Sequence, residues 1–235
     1  MTRKQSNRRR YLRYLLGIAV SIGGLASAYL KFRGELFKKE MLTVEESTTA
    51  LGRIPPGQYE VKQLRVLHVG DIPRFDPQSW TFEVFGVVDR PFKLTWHEFL
   101  ALTKVESMSD FHCVTGWSKL DNRWSGVQFK TVGHMAQPRG SAEYATIICD
   151  GGYTTSLPLR ELLDDDVIFA YELDGAILEP CFGGPLRLVV PKRYAYKSAK
   201  WVRKVKFTEQ QELGYWELRG YSNTADPWTE DRHSM

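Results

Sequence analysis

The sequence predicts one α+β domain that is rich in β-strands and follows a basic N-terminal segment. Short apolar runs that end at turn residues recur along residues 59–235, and strand patterns outnumber helical ones. No long helices separate these strand patterns, which argues against a doubly wound parallel sheet. With 235 residues, of which 43% are hydrophobic, the chain suits a single domain with a substantial core.

The first half of the predicted domain contains two strands and one helix. WTFEVFGVV (80–88) alternates apolar and polar residues and predicts a strand. LTWHEFLAL (94–102) has the apolar spacing of a helix. EYATIIC (143–149) is a short apolar strand, and the turn sequence Asp150-Gly151-Gly152 ends it.

The second half begins with a short helix over LPLRELLDDD (157–166), where Pro158 is a favourable first residue. VIFAYELDGAIL (167–178) predicts a hairpin that turns on Asp174-Gly175. LRLVVP (186–191) reads as a buried strand, and KWVRKVKFTE (200–209) as a strand with a basic face.

Charge is distributed unevenly along the chain. Residues 1–39 hold ten Lys/Arg and one Glu, a charge of +9, whereas the whole chain carries +4, so the remainder carries −5. A mildly acidic domain is a poor binder of nucleic acid, and we expect no nucleic-acid partner. Residues 40–58 form a polar linker that ends at Pro55-Pro56-Gly57, and we place the domain at 59–235.

The basic segment resembles an export signal. Arg8-Arg9-Arg10-Tyr11-Leu12-Arg13 resembles the twin-arginine motif and precedes an uncharged stretch from Tyr14 to Leu30. Ala26-Ser27-Ala28 fits a cleavage site. Three interpretations stay open: a cleaved signal, a retained membrane anchor helix, and an amphipathic cytoplasmic tail. Either of the first two places the domain outside the cytoplasm, in the periplasm or cell envelope.

Three cysteines do not form a disulfide framework or a zinc site, because Cys113, Cys149 and Cys181 contain no C-x-x-C pair. Cys149 and Cys181 either form a bridge or lie in the core as free thiols. Cys113 is different, because it lies among aromatic, glycine and hydroxyl residues in DFHCVTGWS (110–118).

Basic residues are concentrated between Leu186 and Lys206, where the sequence holds eight Lys/Arg. A solvated strand face accounts for Lys204 and Lys206. It accounts less well for Arg187 inside an apolar run, or for Lys197 and Lys200 in a predicted loop with Ser198. Basic groups beside buried strands predict an anion, and phosphate is a common choice.

Five motifs in order resemble the sulfite oxidase-type molybdopterin oxidoreductase domain, which includes periplasmic methionine sulfoxide reductase catalytic subunits. The resemblance covers about Leu64 to Arg232. The motifs are VGDIPRFDP (69–77), DFHCVTGWS with WSGV (110–118 and 124–127), GYTTSLPL (152–159), GGPLRLVVPKRYAYKSAKW (183–201) and GYWELRGYSNTADPWTEDR (214–232).

The resemblance implies a molybdenum cofactor with one pyranopterin dithiolene, and it implies that Cys113 is the protein's ligand to the metal. A soft thiolate suits this metal, and the cofactor supplies the other sulfur ligands. Tyr153 matches an active-site tyrosine of sulfite oxidases. Arg187 matches the arginine that holds the pterin phosphate.

The resemblance also implies further cofactor contacts. Ser198, Ala199 and Lys200 match a cofactor loop, with Lys197 adjacent. His68, Val69 and Arg74 match an early loop at the pterin. Cys149 stands at a pterin-contacting position. Phe182 stands where His or Asn is common, which implies an apolar wall there.

The implied function is two-electron or oxygen-atom transfer, with sulfoxide reduction as the leading interpretation. Oxidation of sulfite or a similar small anion is the first alternative, and a cofactor-binding protein without catalysis is another. A thiol enzyme that uses Cys113 as nucleophile would need a nearby base, and His112 is expected to point elsewhere on its strand. Electrons would pass to or from a separate partner, either a membrane haem protein or a cytochrome. The substrate would be a small molecule or a sulfoxide-containing protein.

Overall fold

The computed structural model describes Lys31 and residues 52–234, and Gly52–Met235 form one compact unit. This unit is a mixed, sheet-rich α+β domain, which confirms the predicted class. The predicted signal or anchor helix and residues 40–51 of the predicted linker lie outside the described residues. Within the described part of the chain, every helix is too short or too polar to span a membrane.

Eleven strands and three α-helices form the described domain. The strands are β1 (Tyr59–Glu60), β2 (Thr81–Gly86), β3 (Phe92–Thr95), β4 (Val105–Cys113), β5 (Trp117–Gln128), β6 (Tyr144–Cys149), β7 (Thr154–Pro158), β8 (Ile168–Leu173), β9 (Ala176–Ile177), β10 (Arg187–Val189) and β11 (Val202–Thr208). The α-helices are α1 (Trp96–Leu100), α2 (Phe129–Ala136) and α3 (Leu159–Leu162).

The strands form two mixed sheets. The six-stranded sheet has the order β1-β5-β8-β10, with β4 paired to β5 and β9 paired to β8. The five-stranded sheet has the order β3-β2-β11-β6-β7. Two pairs, β1 with β5 and β2 with β11, are parallel, and the other pairs are antiparallel.

Strands β8 and β10 of the six-stranded sheet are buried on both faces. Phe169 of β8 and Leu188 of β10 belong to the main core, together with Phe82 and Phe207 of the five-stranded sheet. Their chain neighbours on β8 and β10 belong to a second cluster, which also contains Cys113, Trp117 and Trp124. Successive side chains of a strand point to opposite faces, so this sheet separates the main core from the cluster that contains Cys113.

Local sequence explains several of the elements. Thr95 and Glu98 form a reciprocal capping box that starts α1. Asp174 and Gly175 have φ angles of 51° and 83°, the conformation that a two-residue hairpin between β8 and β9 requires. The predicted helix over 94–102 is shorter than expected, because Leu94 and Thr95 end β3 and pair with β2.

The sequence analysis missed the short strands β1, β3 and β7, the long hairpin of β4 and β5, and α2. The helix predicted over 157–166 is limited to Leu159–Leu162, because Leu157 and Pro158 end β7. The buried face of α2 comprises Phe129, Val132, Gly133 and Ala136, which is helical spacing. Gly133 and Thr131 are weak helix formers, which obscured this pattern. Strand β4 is partly exposed over its first half, so its apolar signal is confined to the residues before Cys113.

Candidate functional site

A cavity of about 270 Å³ lies where β4 ends and β10 begins. Its walls come from the segment 64–69, the turn after β4, the start of β10, and the loop 195–201. Eight of the predicted site residues line it: His68, Val69, Cys113, Tyr153, Arg187, Ser198, Ala199 and Lys200.

Cys113 is the last residue of β4 and is only 7% exposed. The chain reverses directly after it, because Gly116 adopts a φ of 99° and its N–H donates to the Cys113 carbonyl. The Cys113 Sγ lies 3.1 Å from the Thr115 hydroxyl oxygen. The turn therefore presents one thiol to the cavity with a hydroxyl beside it.

Neighbouring side chains hold this turn from behind. Gln58 Nε2 donates to the Cys113 carbonyl at 3.1 Å, and the Ser118 hydroxyl donates to Gln58 Oε1 at 3.3 Å. His112 Nδ1 lies 2.8 Å from the Ser118 hydroxyl, on the other side of the strand from the thiol. Arg232 donates to the carbonyl of Val114. His112 therefore supports the turn through Ser118. Burial lowers the pKa of His112.

Arg187 begins β10 and is 4% exposed. Its Nη1 donates to the Phe182 carbonyl at 2.8 Å, and its guanidinium lies 4.7 Å from the Phe111 ring centre. Within the described part of the chain, its Nε has no hydrogen-bond partner. Burial lowers the pKa of Arg187 to about 10. A buried cation in this state favours an anionic ligand in the cavity.

Lys200 stands on the same side of the cavity as Arg187. Its Nζ donates to the Cys181 carbonyl at 2.6 Å. Burial, followed by repulsion from Arg187, lowers the pKa of Lys200 to about 7. Arg187 and the protonated fraction of Lys200 make this wall of the cavity electropositive.

Tyr153 follows the turn after β6, and its hydroxyl donates to the Tyr196 carbonyl at 2.5 Å. Burial, followed by the negative charge of Glu217, raises the pKa of Tyr153 well above its ordinary value. The phenol is therefore neutral at physiological pH, and its one O–H is used by the Tyr196 carbonyl, so its oxygen can accept a hydrogen bond at the cavity wall.

The other predicted site residues lie apart from the cavity lining. Arg74 is exposed, and Cys149 is a buried free thiol of the main core. Cys181 is also free, so the two cysteines are not bridged. Phe182 packs beside the second cluster and reaches the site through its carbonyl. Lys197 is fully buried in contact with Glu217.

Sequence reasoning missed much of the lining. Arg65 and Leu67 lie just before His68 in the chain, and Thr115 and Trp117 follow Cys113. The other missed lining residues are Leu64, Phe111, Val114, Ala195, Tyr196, Trp201, Trp216 and Tyr221. Trp216 and Tyr221 belong to the tail motif 214–232, so that motif was the signal that could have identified them.

The residues present fit a phosphate-bearing cofactor that brings its own metal ligands. Across the described residues, no group of three or more His, Cys, Asp or Glu could hold a metal. A metal in the cavity would therefore need further ligands besides the Cys113 thiolate, and a dithiolene would supply them. The unpaired buried guanidinium of Arg187 fits the phosphate.

The fold and the cavity define a class of protein that binds an anionic cofactor beside a single cysteine. The family model described as the oxidoreductase molybdopterin binding domain matches residues 69–216. The chain belongs to this family of oxidoreductases, and the resemblance drawn from the five sequence motifs is confirmed.

Relatives and a solved structure agree with this assignment. The chain is 41% identical to the uncharacterized oxidoreductase YuiH of Bacillus subtilis, over 77% of this chain and 92% of that protein. It is 25% identical to the protein-methionine-sulfoxide reductase catalytic subunit MsrP of Campylobacter jejuni, over 89% of this chain and 76% of that protein. The sulfane dehydrogenase SoxCD of Paracoccus pantotrophus shares the fold, with a TM-score of 0.55 at 18% identity. That match covers 60% of this chain and 41% of the SoxCD chain.

Proposed function

We propose that this protein is a molybdenum cofactor-dependent oxidoreductase that reduces sulfoxides outside the cytoplasm. The observation that carries the proposal is that Cys113 and the buried, incompletely paired Arg187 line the same cavity. Cys113 supplies a soft metal ligand, and Arg187 supplies a cation for the cofactor's phosphate.

In this proposal, Cys113 ligates molybdenum and Arg187 binds the pterin phosphate. Lys200 and the backbone of Ser198 and Ala199 hold the cofactor from the loop 195–201, and His68 and Val69 contact it from the segment 64–69. When bound, the cofactor supplies two-electron oxygen-atom transfer between a substrate and water. The role of the chain is to orient that group and to exclude solvent from it.

Besides the chemistry that the cofactor supplies, the protein contributes a hydrogen-bonding group, Tyr153. Its phenol is neutral because burial raises its pKa. In this proposal, the O–H of Tyr153 turns from the Tyr196 carbonyl to the oxygen atom of a bound sulfoxide and polarises the sulfur–oxygen bond. Reduction of a sulfoxide consumes two electrons and two protons and releases the thioether and water, so a donor near the oxygen assists the reaction.

The remaining lining supports a neutral substrate with an apolar body. Trp201, Trp216 and Tyr221 line the cavity together with Leu64 and Leu67. Aromatic and aliphatic walls bind a thioether-like group through apolar contact. The Campylobacter jejuni relative is a protein-methionine-sulfoxide reductase catalytic subunit by name, which supports the same substrate class.

Oxidation of sulfite is the second candidate, and one observation favours it. Arg65 lines the cavity in addition to Lys200 and Arg187, so a small anion would find cationic groups there. In either direction, we propose that a separate redox partner exchanges electrons with the cofactor, either a membrane haem protein or a cytochrome. The N-terminal segment would carry the domain across the membrane or hold it there.

The test is made on protein purified from the cell envelope. Molybdenum and pterin content are measured first, and turnover is then compared between methionine sulfoxide with a reduced viologen dye and sulfite with an artificial acceptor. The proposal predicts molybdenum in the protein and faster turnover of the sulfoxide. Faster turnover of sulfite would replace it with the second candidate, and protein that never contains molybdenum would contradict both.

A further inference from the structure

A fully buried ion pair joins Lys197 to Glu217. The Lys197 Nζ lies 2.5 Å from Glu217 Oε1, and both side chains are 0% exposed. Lys197 belongs to the loop 195–201, here named the cofactor loop. Glu217 belongs to residues 214–221, here named the tail wall. The pair therefore connects two segments that both line the cavity.

Strand β7 completes this contact. The Thr155 hydroxyl donates to Glu217 Oε1 at 2.7 Å, and Lys197 Nζ donates to the Ser156 carbonyl at 3.0 Å. Burial lowers the pKa of Lys197, and the charge of Glu217 opposes that shift. Within the described residues, Glu217 Oε2 has no hydrogen-bond partner. A buried pair of this kind is weak evidence for stability, because desolvation opposes its attraction. A role in geometry accounts for it better.

The chain neighbours of both residues line the cavity. Tyr196 precedes Lys197, and its carbonyl accepts the hydrogen bond of Tyr153. Trp216 precedes Glu217 and also lines the cavity. A shift of the pair would therefore move the support of Tyr153 and the position of Trp216 together.

We propose that Lys197 and Glu217 are positioning residues that hold the cofactor loop against the tail wall and so set the substrate side of the cavity. The inference rests on the proposed function, because it concerns the same cavity. It gives Lys197 a role other than the cofactor contact that the family resemblance implied. Its ammonium group is held by the Ser156 carbonyl and by Glu217, and Lys197 does not line the cavity, whereas Lys200, three residues later, does.

A double-mutant cycle tests the proposal on the full-length holoprotein. Lys197→Met, Glu217→Gln and the double variant are compared for molybdenum content, for KM and kcat per molybdenum with methionine sulfoxide, and for chymotrypsin cleavage at Trp216 and Tyr221. Each single variant should raise KM about tenfold or more, with a smaller change in kcat per molybdenum. The double variant should raise KM to about the same extent as the single variant with the higher KM, and chymotrypsin cleavage of the tail wall should be faster in all three variants.

The exposed pair of Lys204 and Glu83 is the matched control. Its side chains are 46% and 37% exposed and lie on the five-stranded sheet outside the cavity lining. Lys204→Met and Glu83→Gln should leave KM and cleavage unchanged. This control separates the loss of the buried pair from the loss of any lysine–glutamate contact.

Three results would overturn the proposal. Additive effects of the two substitutions would mean that Lys197 contacts a ligand independently of Glu217. A wild-type KM in the double variant would mean that the pair does not set the geometry of the cavity. If the single variants fail to fold, the double variant alone decides the question. Unchanged tail cleavage in every variant would also contradict it. Wild-type protein without molybdenum would instead contradict the proposed function, and the cleavage assay would still report on the pair.

Discussion

The guanidinium carbon of Arg187 lies 4.7 Å from the centre of the Phe111 ring, and its Nε has no hydrogen-bond partner among residues 52–234. A positive charge is thus held against an aromatic face, at the wall of a cavity, without a carboxylate to balance it. The cation–π contact offsets only part of the cost of burial. An anion in the cavity would balance the buried charge of Arg187.

Arg187→Met should weaken cofactor binding without destabilising the cofactor-free protein. A charge-assisted contact to phosphate is worth roughly 2–5 kcal/mol, so the variant should retain less than about a tenth of the cofactor. The cofactor-free variant should unfold at the same or a higher urea concentration than the cofactor-free wild type, because an unbalanced buried charge is removed. Arg139→Met is the control, since Arg139 is 61% exposed in its pair with Asp89. Full pterin occupancy in Arg187→Met would exclude Arg187 as the phosphate ligand.

Cys113→Ser should retain part of the cofactor but lower the activity per molybdenum. Serine is nearly the same size, so the fold should persist, and the phosphate contact should retain part of the cofactor. The weaker donor should lower activity per molybdenum by about 100-fold or more, which corresponds to about 2.7 kcal/mol. The Mo(V) resonance spectrum should change as well. Cys181→Ser is the control, because that thiol lies outside the cavity lining and is partly exposed. An unchanged spectrum and unchanged turnover in Cys113→Ser would contradict the assignment of the metal ligand.

Lys200→Met should change how stability depends on pH. The folded pKa of Lys200 is about 7, below its ordinary value of 10.5. Between about pH 7 and pH 10, the unfolded chain therefore binds a proton that the folded chain does not, so this group makes the protein more stable as pH rises. Below about pH 7 both states are protonated and the full cost of charging the buried amine is present. The stability gained by Lys200→Met should be largest below pH 7 and should shrink as pH rises.

Urea unfolding of cofactor-free wild type and variant across this pH range measures the effect. The buried tyrosines are present in both proteins, so their contributions cancel in the difference. A difference in unfolding free energy that stays constant with pH would show that Lys200 titrates at its ordinary value.

Arg8→Lys combined with Arg9→Lys and Arg10→Lys should retain the folded protein in the cytoplasm, because lysines replace the arginines of a twin-arginine signal poorly. Cell fractionation followed by immunoblotting measures the distribution. Arg3→Lys with Lys4→Arg is a matched control that keeps the charge and leaves the motif intact. Normal export of the triple variant would contradict the twin-arginine interpretation.

The sequence by itself predicted most strands of the domain, because apolar alternation and turn residues are local signals. The hairpin of β8 and β9 turns at Asp174-Gly175, as predicted, since those residues tolerate positive φ angles. The sequence did not predict α2, because Gly133 and Thr131 weaken the local helix propensity. Packing of Phe129 and Val132 into the main core decides the helical conformation there.

For the site, the sequence singled out Cys113 and Arg187, because a lone thiol and an arginine in an apolar run are unusual in any fold. Only the tertiary structure decided the different environments of Lys197 and Lys200. The two residues are three apart in one basic motif, yet one meets a buried carboxylate 20 residues further along the chain and the other lines the cavity. The physical reason is that a charge inside a protein is defined by its partners, and those partners come from distant segments that folding alone brings together.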